Sequence, residues 1–346
     1  MAIGFPVKAD YVTGDVLTAT NMNDLSGTLN TIQSVKYAAG KNKVINGDFN
    51  VWQRGTSFSP TPGVETYTAD RWVAYVDGTT TSTFSRQTFT PGTAPVAGYE
   101  GSYFYRAAIT SQTGGSGTYI YQKIEDVRTF AGQTVTMSFW AKAAATGSSS
   151  IYLTQNFGSG GSATVNGTAS TISLTTSWQR FTYTVAVPSI SGKTIGTSSF
   201  LAFYVQLTAN LAQTVDIWGA QVEASSTASD FATATGTIQG ELAACQRYYL
   251  RLTSTDAYST YANGAAYAST SAQITVINGT RMRVQPSSVE FSTLGLYDGT
   301  NAIVAVTNVI LSNTGDSALT VICDVASGLT AFRPYVLLSN NNSAGY

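Results

Sequence analysis

Residues 44–55 read Val-Ile-Asn-Gly-Asp-Phe-Asn-Val-Trp-Gln-Arg-Gly. Val44, Asn46, Asp48 and Asn50 alternate with Ile45, Gly47, Phe49 and Val51, so a period of two predicts a first strand with Phe49 and Val51 on its buried face. The same stretch holds an Asn-Gly pair suited to a tight turn, one acid, and a tryptophan two residues from an arginine. It would serve equally as the opening strand of a sandwich, part of a binding site or part of a catalytic site. The flanking sequence has to separate these.

Downstream the alternation recurs. Val135, Met137, Phe139 and Ala141 alternate with Thr136, Ser138, Trp140 and Lys142. Phe181, Tyr183, Val185 and Val187 alternate with Arg180, Thr182, Thr184 and Ala186, and Leu201, Phe203, Val205 and Leu207 with Phe200, Ala202, Tyr204 and Gln206. One apolar face at period two marks a half-buried antiparallel strand. Adding 45–53, 71–76, 102–109, 118–124, 150–156 and 214–222 gives roughly nine or ten strands separated by Gly, Pro, Ser and Thr turns, the pattern of a jelly-roll sandwich.

Composition agrees with a mainly all-β chain. Of 346 residues 12% are aromatic, 20 of them tyrosine, whereas only 11% are charged and the net charge is −1. No basic field is available for nucleic acid or anionic lipid. Histidine is absent, which removes the commonest general base and metal ligand together with any Ser-His or Cys-His nucleophile. The two cysteines, Cys245 and Cys323, rule out a cysteine zinc cluster and read as buried free thiols, with a single Cys245–Cys323 disulfide as the alternative; Cys323 falls in phase with Leu319, Val321 and Val325. The N-terminal Met-Ala-Ile-Gly-Phe-Pro-Val-Lys lacks the pattern of a signal peptide, so synthesis in the cytoplasm is expected, and no apolar run approaches membrane-spanning length.

Three regions follow. In residues 1–42, Met22, Leu25, Leu29 and Ile32 recur at 3-4-3 spacing, a narrow seam that is either a short parallel trimerising bundle or one helix docked on the next domain. Residues 43–235 hold the jelly roll. Residues 236–346 restart order at Glu241-Leu-Ala-Ala-Cys-Gln-Arg-Tyr-Tyr and carry two hairpin signals, Asn278-Gly279 and Asp298-Gly299, which predict a smaller C-terminal β-sandwich.

Taken in order, several motifs resemble phage tail-fibre and related virion appendage proteins. These are Asp10-Tyr-Val-Thr-Gly-Asp-Val-Leu-Thr-Ala-Thr-Asn-Met-Asn-Asp-Leu, Asn46-Gly-Asp-Phe-Asn-Val-Trp-Gln-Arg-Gly, Tyr67-Thr-Ala-Asp-Arg-Trp, Val135-Thr-Met-Ser-Phe-Trp-Ala-Lys, Asp216-Ile-Trp-Gly-Ala-Gln-Val-Glu and the Glu241 motif. The resemblance covers residues 5–250 and only loosely the last hundred. It implies a carbohydrate-binding-module-like jelly roll in a parallel homotrimer that is borne on the virion and has no enzymatic activity. Its N-terminus would join other tail or baseplate proteins, and its body would bind host surface polysaccharide. By the same resemblance a structural calcium would fall at Asp48 and Asp216. A purely structural fibre without glycan affinity and a glycan-cleaving spike are the alternatives; the latter needs a carboxylate pair that the scattered acids do not announce.

Sugars are held by aromatic rings flanked by amide and hydroxyl groups, so aromatics on the polar side of their strands are the candidates. Trp140, Tyr204 with Gln206, Tyr119 and Tyr121 meet this test, and would form one platform unless a neighbouring subunit or loops cover them. Trp52, Trp72, Trp178 and Trp218 read as core. At the C-terminal tip, Tyr258, Tyr261, Tyr267, Arg281 and Arg283 are candidate receptor contacts, or else packing between subunits.

Overall fold

The computed structural model describes residues 40–97, 99–254, 256–300 and 302–340. The Met22, Leu25, Leu29 and Ile32 seam lies outside these. Strands β1 (Ser57–Phe58), β2 (Thr66–Tyr67), β3 (Trp72–Val76), β4 (Thr79–Thr88), β5 (Tyr103–Thr113) and β6 (Thr118–Glu125) come first. Next are β7 (Thr134–Ala143), β8 (Gly147–Asn156), β9 (Val165–Asn166), β10 (Ser170–Leu174), β11 (Gln179–Ala186), β12 (Phe200–Leu207) and β13 (Gln213–Glu223). They form a six-stranded sheet in the order β1-β4-β5-β13-β7-β11 and a seven-stranded sheet in the order β10-β8-β12-β6-β3-β2, with β9 against β8.

The two sheets face each other across one apolar core. Phe84, Tyr105, Met137, Phe139 and Ile217 enter it from the first sheet, and Trp72, Ile120, Ile151, Leu201 and Phe203 from the second. The alternation read from the sequence therefore sets which side chains point inward. Along β12, for example, Leu201, Phe203, Val205 and Leu207 are buried, while Tyr204 and Gln206 are half-buried on the outer face.

Residues 44–55 do not form the expected strand. Asn46 and Phe49 adopt left-handed backbone angles (φ 58° and 55°), which break the extended path. Asn46 becomes a hub instead. Its side-chain amide donates to the carbonyls of Val51 (2.9 Å) and Asp70 (3.0 Å), its side-chain oxygen accepts from Val51 N (2.9 Å), and its carbonyl accepts from the Trp72 indole (3.0 Å). Phe49 and Val51 are buried as expected, but as part of an irregular plug. Gly47 is needed because a Cβ there would lie 2.1 Å from the carbonyl oxygen of Ala220. Ala220 sits at a bulge in β13, so the Asn46-Gly47 and Asp216–Glu223 motifs meet in space.

A single turn-rich segment leads to α1 (Ile238–Gln246), capped by Thr237, whose side chain accepts from Gly240 N at 3.1 Å. Glu241 is fully buried and pins this helix to the jelly roll: its carboxylate accepts from Asn46 N (2.6 Å) and from Thr235 N (2.7 Å).

Strands β14 (Thr260–Ala266), β15 (Ser271–Ile277), β16 (Leu294–Tyr297), β17 (Val304–Thr314), β18 (Ala318–Val325) and β19 (Pro334–Ser339) make the C-terminal unit. They close into a barrel in the order β14-β15-β18-β17-β16-β19, not into a sandwich, because β19 pairs with both β14 and β16 and leaves no edge. Asp298-Gly299 does lie in a hairpin connection, between β16 and β17. Asn278-Gly279 does not turn a hairpin; β15 pairs with β14 and β18, and Asn278 N bonds to Ser317 O across that second pairing. Both cysteines are free and buried, Cys323 inside the barrel. No helix among the described residues is long and apolar enough to cross a membrane.

Candidate binding groove on the tyrosine face

Five tyrosines stand on the outer face of the seven-stranded sheet: Tyr75 on β3, Tyr119 and Tyr121 on β6, Tyr204 on β12 and Tyr152 on β8. Register places them in rows. Tyr204 lies directly opposite both Tyr121 and Tyr152, and Tyr119 lies between Gln206 and Tyr75. Together with Glu65, Asn156, Thr164 and Asn166 they line a groove of about 620 Å³, within the size range of small-ligand sites.

The first row is a stack. Tyr121 and Tyr204 have ring centroids 4.5 Å apart, and Tyr204 and Tyr152 4.9 Å apart at an interplanar angle of 8°. These separations match the spacing of roughly 4.8 Å between neighbouring strands, so the rings stand upright on the sheet, face against face. Tyr204 thus has both faces covered and offers a ligand its edge and hydroxyl. The second row is polar: Gln206 Nε2 donates to the hydroxyl of Tyr119 (3.4 Å) and to Ser116 O (3.2 Å), and the Ser116 hydroxyl lies 3.0 Å from that of Tyr119.

Glu65 anchors the open side. It accepts hydrogen bonds from the Tyr121 hydroxyl and from Lys123 Nζ (2.7 Å). Burial raises its carboxyl pKa, but the bonds from Lys123 and Tyr121 outweigh that and hold it below the usual range. Burial, aided by the charge of Glu65, pushes the Tyr204 phenol up to about 12, and burial raises Tyr121 and Tyr152 further. These three hydroxyls therefore keep their protons throughout the physiological range and both donate and accept. The other acid on the groove wall, Asp77, accepts from the backbone of Ser116 (2.9 Å) and Gly117 (3.1 Å).

Tyr119, Tyr121, Tyr204 and Gln206 are therefore brought together, and Trp140 is not. It belongs to the opposite sheet and is only 8% exposed. Its outer face is covered by Phe231 from the segment after β13 and by the Arg180 guanidinium, 4.6 Å from the ring centroid. Strand phase reports which side of a sheet a residue occupies, but not whether a later segment folds over it. Trp72 and Trp218 are fully buried, Trp52 nearly so and Trp178 half-buried. Two residues of the groove, Tyr75 and Tyr152, were open to the same phase test: each lies between inward residues, Ala74 and Val76 or Ile151 and Leu153. Glu65 comes from a loop, and nothing local marks it.

Asp48 and Asp216 do not fit a calcium site. The Asp216 carboxylate is held bidentately by Arg106 (2.7 and 2.8 Å) with Lys142 at 3.7 Å, so its charge is already matched by two cations. Asp48 accepts from the Asn50 amide at 2.6 Å. No cluster of three or more His, Cys, Asp or Glu side chains suited to a metal occurs among the described residues. The tip candidates scatter as well. Tyr258 and Tyr267 flank opposite ends of β14, Tyr261 packs against the barrel core, Arg281 pairs with Asp316, and Arg283 pairs with Glu125 (3.4 Å) on the jelly roll.

No protein-family model and no curated protein sequence matches the chain. Among solved structures it is similar to a CBM4 structure, at 20% identity over 52% of this chain and 98% of that one, with a TM-score of 0.32. It is also similar to the family 11 carbohydrate-binding module from Clostridium thermocellum in complex with a β-1,3-1,4-mixed-linked tetrasaccharide (11% identity, 49% and 96% covered, TM-score 0.31). A third is the enzymatically active domain of bacteriophage CBA120 tailspike protein 4 (14% identity, 53% and 21% covered, TM-score 0.31). Likeness at this level says nothing of function, which has to come from the groove.

Proposed function

We propose that the chain is a glycan-binding protein and that the tyrosine groove is its binding site. The observation that carries this reading is the row of upright, stacked phenols flanked by Gln206, Asn156, Asn166 and Glu65, a surface rich in paired donors and acceptors over an apolar base. A polyhydroxylated chain matches it because each sugar hydroxyl also donates and accepts. Its contacts run to ring edges and hydroxyls more than to ring faces. Binding without cleavage is supported by the state of the two groove acids: Glu65 is bonded to Lys123 and Tyr121, and Asp77 to the backbone of Ser116 and Gly117 in the turn between β5 and β6. The finer role we infer is that of a virion tail fibre acting as a trimer, where several weak sites gain from multivalency. That role is supported by the ordered set of sequence motifs.

A glycan array on the full chain tests the first part. Any hit is then titrated against Tyr204→Phe and Tyr152→Phe. Edge-on recognition predicts that each loses roughly 5- to 10-fold in affinity, the worth of one hydrogen bond. Full affinity in both Phe variants would show that sugars stack on ring faces instead. An empty array, or a hit unaffected by Tyr204→Ala, would remove the groove from the function.

A further inference from the structure

We propose that the open end of the C-terminal barrel is a second binding site, which takes an amphipathic carboxylate: an alkyl chain with an anionic head. The barrel is filled at one end and not at the other. Ala266, Ala272, Cys323, Val325 and Tyr335 pack the far end tightly. Toward the near end Val276, Leu311 and Leu319 are only partly buried and, with Leu294, Val321 and Leu337, surround a cavity of about 440 Å³. That volume suits a small ligand, and six aliphatic side chains suit an alkyl chain.

One buried polar side chain on the cavity wall, Asn278, lacks a partner among the described residues, and one half-buried arginine, Arg54, makes no close ion pair with them. Asn278 follows Ile274 and Val276 in the inward-facing column of β15 and is 7% exposed, yet neither atom of its side-chain amide has a hydrogen-bond partner among the described residues. A buried amide in that state is costly unless a ligand completes it. Arg54, at the jelly-roll side of the cavity, has its guanidinium 3.5 Å from the ring centroid of Tyr249 and 5.2 Å from that of Tyr67. No ion pair among the described residues uses it.

The other wall cations are engaged. Arg247 and Arg283 pair with Glu125 at 3.6 and 3.4 Å, and Arg71 lies on Tyr248 and donates to the Lys123 carbonyl. Against these four arginines the wall sets two acids, Asp70 and Glu290, and Asp70 accepts from Gln53. Arg54 feels the charges of Asp70 and Glu290 but forms no close ion pair with either, so it can face an anionic head, and the Asn278 amide N–H supplies a donor.

Calorimetric titration of the full chain with dodecanoate below its micelle concentration, beside dodecanol as the uncharged match, tests the assignment. One dodecanoate per chain is expected. Arg54→Gln should weaken dodecanoate about 10-fold, as expected for a charge-assisted hydrogen bond, and leave dodecanol unchanged. Leu311→Trp and Leu319→Phe fill the cavity and should abolish both. No binding by the wild type, many molecules per chain, or unchanged binding by a filled variant that circular dichroism shows to be folded would overturn the site. If both filled variants unfold, Arg54→Gln and Asn278→Leu decide: dodecanoate affinity equal to wild type in both would overturn it.

Discussion

Asp48 is 3% exposed, and burial, reinforced by the nearby charge of Glu241, pushes its carboxyl up to about 6. The unfolded chain releases that proton near pH 4. Between the two values the folded state holds more protons, so stability falls as pH rises through this window and is lowest above it. Asp70, also raised by burial, acts in the same direction. Asp48→Asn should therefore gain on the order of 2 kcal/mol at pH 7 and show a flatter pH dependence between 4 and 7. Urea unfolding of both proteins across that range measures it; parallel curves would show that Asp48 is ionised in the fold. Glu65 has the opposite sign. Its depressed pKa favours the groove geometry at neutral pH, and that contribution is lost as pH falls through its folded value.

At the scale of elements, the same signal that placed β7 and β12 correctly also misled. Alternation put Trp140 on the outer face of β7, where it is, but said nothing of Phe231 returning to cover it. Trp140→Ala should cost about 3–5 kcal/mol in denaturant unfolding, as buried aromatics do, while the protein that remains folded keeps wild-type affinity for whatever the array identifies. A loss of affinity with no loss of stability would return Trp140 to the binding surface. Strand β4 was illegible for a different reason: in Thr-Thr-Thr-Ser-Thr-Phe-Ser-Arg-Gln-Thr only Phe84 is large and apolar, so no period emerges, and the strand is held by pairing with β5. Residues 44–55 failed as a strand because left-handed Asn46 and Phe49 serve a tertiary hub, which no local period encodes.

Across the described residues, the mainly all-β class and a sandwich followed by a smaller β unit were legible, since alternation and turn residues act locally. Closure of the barrel was not, because it depends on β19 meeting β14 about seventy residues away, and nothing in either strand names its partner. The groove was half legible: strand phase selects Tyr119, Tyr121 and Tyr204, whereas the upright stack follows only from register between strands.

The Asn46–Glu241 bond joins residues 195 apart in sequence, and Asn42 bonds Val222 across 180. During synthesis the opening segment leaves the ribosome long before its partners exist. At 5–20 residues per second that interval is roughly 10–40 s, during which Asn46 lacks its Glu241 anchor although ring neighbours of Phe49 and Trp52 such as Trp72 and Tyr105 are already made. The jelly roll is then a slow, late-closing fold of high contact order, and its N-terminal plug is the last piece seated. A chain ended after residue 235 should expose this directly. Trp52 fluorescence would be red-shifted and the 44–55 amides would exchange rapidly, while the β7–β11 and β6–β12 amides stay protected. Equal protection in the truncated and full chains would show that the plug seats without α1.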